Sequence, residues 1–117
     1  MNDRYLFKAK RKNWKELPKE EWWAYWNIFS SCPEAIDEST ICQCTGLKDK
    51  RENLIWENDI VEETREYLQK KKYKVNWSEE EGGWLLNDLY GLGIGNSDHF
   101  RVIGSYFDDS ELLNKVR

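Results

Sequence analysis

What this chain lacks narrows the field first. No apolar run approaches the ~20 residues that a membrane-spanning helix needs, so no membrane partner is expected. The opening residues, MNDRYLFKAKRK, carry neither an apolar h-region nor a small-residue cleavage site, so secretion is not expected either. Cysteine is scarce and odd in number, three in all, which suits free thiols in a reducing compartment better than a disulfide framework. Together these features place the protein in the cytoplasm of the cell that makes it. One histidine is present, so any imidazole acid–base scheme rests on His99 alone. Gly-Lys-Ser/Thr is absent, which removes a phosphate loop, and there is no internal repeat or low-complexity tract. A large charge of one sign is also missing. The net charge of −4 speaks against a general nucleic-acid binder, whose surface would be basic.

What is there is aromatic. Hydrophobic residues make up 39% of the 117 positions and charged ones 34%, figures that alone would admit disorder. Seven Trp, six Tyr and four Phe reverse that reading, because disordered chains are poor in aromatics and each buried ring removes roughly 150–250 Å² from water. A chain of this length can bury about two-thirds of its unfolded surface, enough for a core without metal or disulfide staples. Basic clusters (KAKRKNWK, 8–15; KKK, 70–72) alternate with acidic ones (ENDIVEE, 57–63; SEEE, 78–81), as on an ordinary mixed surface.

Two-fold alternation in RYLFKAKRK (4–12) predicts a half-buried strand, with Tyr5, Phe7 and Ala9 on one face and Leu6, Lys8 and Lys10 on the other. WWAYWNIF (22–29) admits two readings. A helix entered near Pro18 would stack Trp22, Trp26 and Phe29; a strand would put Trp23, Tyr25 and Phe29 on one face and Trp22, Ala24 and Trp26 on the other. Aromatic enrichment favours the strand. Short strands are expected over 40–46, 57–63, 73–77, 84–88 and 98–107, with LIW (54–56) an apolar segment and 73–88 a hairpin. TREYLQKKK (64–72) reads as a twisted hairpin or a single helical turn, and YGLGIGNS (90–97) as a mobile glycine-rich segment. A short helix closes the chain over DDSELLNKV, capped by Asp109, with Lys115 and Arg117 suited to its far end.

The segment TICQCTGLKDKRENLIWENDIV (40–61) closely resembles the signature of the YopX family of phage and prophage proteins, T-V-x-Q-Y-T-G-L-x-D-K-N-G-K-x-I-[YFW]-E-G-D-I-V. RYLFKAKRK (4–12), YKVNWSEEEGGWLL (73–86) and VIGSYFDDSELL (102–113) resemble the family's opening strand, its second hairpin and its closing segment, in the same order. The resemblance implies an all-β, β-dominant fold: an N-terminal β-region over 1–38, an SH3-like β-barrel over 39–117 and a short C-terminal helix. It also tilts 22–29 toward the strand. What it implies about activity is slight, since the family has no established function. Arg51-Glu52 stands where relatives often carry Asn-Gly, so that turn is expected to take a different geometry. Asn58 replaces a Gly and tolerates the left-handed region.

Read physically, the string is a scaffold. Thr45 and Gly46 end a strand, Asp49 lies in the turn, Ile55 and Trp56 plug the core, and Asn58 and Asp59 redirect the chain into Ile60 and Val61. Cys32, Cys42, Cys44 and His99 do not pair in the close sets typical of structural zinc, and no credible catalytic set emerges, so no metal, cofactor or enzymatic activity is expected. Trp22 and Trp26 have two readings: they pack under the 13–20 loop, the more common fate of Trp, or they form a functional surface flanked by Lys8, Lys10 and Arg11. The leading functional reading is a protein-interaction surface with an unknown protein partner or a second copy in a homo-oligomer. The alternative is a stacking-plus-phosphate platform for single-stranded nucleic acid.

Overall fold

The computed structural model describes residues 5–113. Lys115 and Arg117, expected at the end of the terminal helix, lie outside the described residues. The chain divides into two compact units, Met1–Cys44 and Thr45–Arg117. The division falls inside a strand rather than in the loop near residue 38.

In the first unit, β1 (Leu6–Lys10) is the middle strand, paired antiparallel with β2 (Trp23–Asn27) on one side and with the start of β3 (Cys42–Lys48) on the other. The strand reading of the Trp-rich segment therefore holds, although Trp22 precedes β2. Phe7 faces Trp26 and Ala9 faces Ala24, and these side chains share the face that packs on Ile36. Small Ala9 and Ala24 let that cluster close, while the Trp26 ring stacks on Phe7 with centroids 5.8 Å apart. Asp37 begins a turn of 3₁₀ helix, Glu38–Thr40, by accepting from the Ser39 N–H at 3.1 Å.

In the second unit the end of β3 pairs with β4 (Leu54–Trp56). A five-stranded antiparallel sheet follows, built from β5 (Asp59–Glu63), β6 (Lys72–Ser78), β7 (Gly83–Leu86), β8 (Tyr90–Leu92) and β9 (Phe100–Ser105), in the order β8-β7-β6-β5-β9. Ile55, Val61, Val75, Leu86, Leu92 and Phe100 form its core, joined by Leu47, Tyr73, Trp84 and Val102. The expected β-dominance is observed, with two antiparallel sheets. Among the described residues no pairing closes either sheet into a barrel.

Three expectations are corrected. Residues 90–92, read as part of a mobile glycine-rich segment, form β8. Asn87 and Asp88, at φ +53° and +61°, make the mirror-image turn that matches strand twist, and Leu89 N–H closes it on Leu86 O at 3.0 Å. The terminal helix begins earlier than expected, as α1 (Tyr106–Asp109), and its cap is Ser105, whose side chain accepts from Phe107 N–H. Asp109 instead turns back to accept from Ser105 N–H. Residues 64–71 form neither a hairpin nor a helix, only turns between β5 and β6.

The β3–β4 turn also differs from expectation. Arg51-Glu52 lacks an Asn-Gly pair, yet Glu52 still takes a left-handed conformation, φ +68°, and donates its N–H to Asp49 O. A side chain there carries the steric cost that glycine avoids. Glu52→Gly is therefore expected to stabilise the protein by about 0.5–1 kcal/mol, after allowing for the entropy of glycine in the unfolded chain. The check is a urea titration, in which the midpoint should rise with unchanged slope; a lower midpoint would show that Glu52 is not strained.

Candidate functional site

The string from Thr45 to Val61 can be taken bond by bond. Thr45 Oγ1 donates to Ile55 O at 2.7 Å and accepts from Leu47 N–H at 3.0 Å, locking β3 to β4 around Gly46, whose φ is +81°. Asp49, 2% exposed, accepts from Arg51 N–H and Asn53 N–H through Oδ1 and from Val102 N–H through Oδ2, each at 2.9 Å. Lys50 N–H donates to Phe100 O at 2.8 Å. The turn thus lies along the outer margin of β9. At the next turn Asn58 takes φ +69° and Asp59 Oδ2 accepts from Trp56 N–H at 2.8 Å. Ile55, Ile60 and Val61 are fully buried and Trp56 nearly so. Thr45, Asp49 and Asp59 are thus engaged in turns and strand pairing, and Ile55, Trp56, Ile60 and Val61 lie in the interior.

The residues singled out as a surface are arranged otherwise. Lys8 and Lys10 are only 8% and 5% exposed. Lys8 Nζ lies 4.6 Å from the Trp23 ring, and Lys10 Nζ lies 3.7 Å from Trp14 and 5.0 Å from Trp22. Indole faces are the best aromatic partners for an ammonium, which lets these lysines lie against rings rather than in water. Trp22 packs edge-on against Trp14 and donates Nε1–H to Leu17 O at 2.9 Å, under the 13–20 segment. Arg11 Nε donates to Glu21 O at 3.0 Å. The fold brings Lys10 and Trp22 together and leaves Trp26 on the opposite sheet face with Phe7. Alternation along β1 signalled the two faces, and packing under the 13–20 loop is the more common fate expected for Trp22; nothing local signalled that Lys10 would be covered by Trp14 and Trp22.

The remaining candidates are separate. Cys32 is exposed, Cys42 and Cys44 are buried, and all three are free thiols. Among the described residues no three His, Cys, Asp or Glu side chains gather as a metal-ligand group. The carbonyl of His99 accepts from both N–H and Oγ1–H of Thr64, and its Nε2 lies 3.8 Å from Asp98. No helix of the described residues is long and apolar enough to cross a membrane.

Sequence reasoning missed two features. One is an exposed apolar group at the end of the β1–β2 hairpin. Phe29 is 78% and Ile28 56% exposed; the Phe29 ring meets Tyr5 edge-on at 5.9 Å, and Ile28 N–H donates to Tyr5 O. The other is a charged cleft beside β5 and β9, where Glu63 binds Arg65 through two hydrogen bonds, at 2.8 and 2.9 Å. The Arg65 guanidinium holds the Glu63 carboxyl down to about 2, against burial, which alone would raise it. Because the folded value lies below the ordinary 4.5, the contribution is complete above pH 4.5 and is lost as pH falls toward 2. Arg65 is a third exposed, so solvent screens the pair and makes it weaker than the shift alone would imply. Urea unfolding at stepped pH should show Glu63→Gln with a flatter acid limb than the parent; parallel limbs would mean that the pair contributes nothing.

Comparison with known proteins follows from this architecture. No curated protein matches the chain. The crystal structure of protein EF1440 from Enterococcus faecalis is similar at 25% identity and a TM-score of 0.53. The match covers 77% of this chain and 64% of that one, so this chain spans less than two-thirds of that chain's length. A family model described as YopX protein matches residues 2–114, taking in the buried Thr45, Asp49 and Asp59 and nearly everything else. The chain belongs to the YopX family.

Proposed function

We propose that this protein is a phage or prophage accessory protein that acts by contact with another protein, without catalysis, in the cytoplasm of a bacterial host. The observation that carries the reading is the apolar group formed by Tyr5, Ile28 and Phe29 at the end of the β1–β2 hairpin. Three large apolar side chains clustered in water cost hydration free energy that a partner's surface would recover, at about 25 cal/mol per Å² buried. β2 is the terminal strand of its sheet, and Tyr25 on it is also exposed, so an extended segment of the partner can lie beside it. A second copy of the chain satisfies the same geometry and would make a homo-oligomer. The second unit is read as an opened relative of an SH3-like barrel. The alternative reading, nucleic-acid binding through Lys8 and Lys10, would need both ammonium groups to leave the indole faces they now lie against.

The test pairs the parent with Ile28→Glu/Phe29→Glu. Both substitutions are at exposed positions, so the thermal midpoint should be nearly unchanged. The parent should sediment as an oligomer or retain a protein partner from host lysate after nuclease treatment, and the double variant should lose that association. Equal behaviour of the two proteins, or capture of nucleic acid alone, would overturn the reading.

A further inference from the structure

Where β5 and β9 pair, Glu62 stands opposite Arg101, and a cleft of about 430 Å³ opens over that pair. Its walls come from three places in the chain: Lys50 and Arg51 in the β3–β4 turn, Lys70 in the segment before β6, and Arg101 on β9. The two carboxylates in the cleft are already committed. Glu62 accepts from Arg101 Nη2 at 2.8 Å and lies 3.8 Å from Lys72 Nζ; Glu63 is held by Arg65. Lys50, Arg51 and Lys70 have no carboxylate within ion-pair distance among the described residues, and all three are exposed. Three unpaired cations therefore rim the cleft, beside an Arg101 already paired with Glu62, in a chain whose net charge is −4. The local positive charge arises from how the turn, the segment and β9 are brought together, not from composition.

Arg101 adds charge to the cleft rather than a free donor: Nη2 is bonded to Glu62, and Nε is buried beyond the reach of an oxygen in the cleft. An oxyanion in the cleft would meet the three rim cations instead. The Thr64 hydroxyl cannot supply such an oxyanion with a proton, because it donates to His99 O at 2.7 Å. The donors are thus the cations, and guanidinium groups match the oxygen spacing of a phosphate.

We propose that this cleft is an oxyanion site that takes a phosphate group, held by Lys50, Arg51 and Lys70 on its rim. The phosphate belongs either to a small phosphate ester or to a nucleic-acid backbone, and both offer the same chemistry to the site. The proposal is independent of the apolar group at Ile28 and Phe29, and either can fail alone.

The experiment is an NMR titration of the full chain with inorganic phosphate, against sodium chloride at matched ionic strength. Saturable shifts are expected at the Lys50, Arg51 and Lys70 amides, with affinity on the order of millimolar. Lys50→Glu/Arg51→Glu should weaken binding by roughly tenfold or more without lowering the thermal midpoint. Shifts no larger than those of chloride, or shifts unchanged in the double variant, overturn the site. Two further titrations identify the source of the phosphate. Tighter binding of a single-stranded oligonucleotide, falling steeply with salt, assigns the cleft to a nucleic-acid backbone. Tighter binding of a nucleoside monophosphate assigns it to a small ester.

Discussion

In the second unit one carboxylate ties the β3–β4 turn to β9. Asp49 is buried, and its three backbone partners come from its own turn and from β9, 53 residues further on. A charge in that position is tolerable because its oxygens are taken up by N–H groups, each a charge-assisted bond stronger than a neutral one. The partner on β9 has its own reason to need an acceptor. Between Ile60 and Val61 the β5–β9 register shifts by one residue, and at this irregularity Val102 N–H goes to Asp49. A bulge bends and twists its strand while disturbing the ladder; Asp49 occupies the amide beside it and fixes the turn against the strand with the same side chain.

The two terminal strands of the five-stranded sheet are treated alike. β9 is covered by the Asp49 carboxylate and by Lys50 N–H on Phe100 O. β8 is covered by the side-chain amide of Asn96, which donates to Gly91 O and accepts from Gly93 N–H, each at 2.9 Å, much as a neighbouring strand would. Bare sheet margins invite pairing with other chains, and short polar covers suppress it. In the first unit β2 is itself a terminal strand, with exposed aromatic and aliphatic side chains at its end that form the contact surface proposed for this protein. The Asp49 turn also carries Lys50 and Arg51, so the carboxylate that secures β9 places two cations of the basic cleft as a consequence.

The parts legible in the sequence were those governed by local rules. Alternation gave β1 and β6, Asn58 was compatible with its positive φ, and the apolar residues of the 45–61 string were assigned to the core where they are found. The parts that escaped depend on what a residue meets after folding. Glu52 adopts the conformation of a glycine because Asp49 holds the turn closed around it, which no propensity of Arg51-Glu52 reveals. Lys8 and Lys10 resemble a solvated basic strand in sequence, yet Lys8 lies against Trp23 and Lys10 is covered by rings that arrive from residues 14 and 22. β8 is three residues long and glycine-centred, and its one sequence signal, Asn87-Asp88 as a mirror-image turn, is weaker than Asn-Gly. The cleft is assembled from positions 50, 70 and 101, a separation that no reading of local composition can bridge.

The most direct measurement of the central claim is native-state hydrogen exchange at three amides: Arg51, Asn53 and Val102. If one carboxylate holds all three, they should exchange through a common opening with the same free energy, although two lie in an exposed turn and one in a strand. In Asp49→Ala all three should lose protection together. Arg51 and Asn53 exchanging at ordinary loop rates, with Val102 remaining protected in the parent and the variant alike, would contradict the account and reduce Asp49 to a local turn residue.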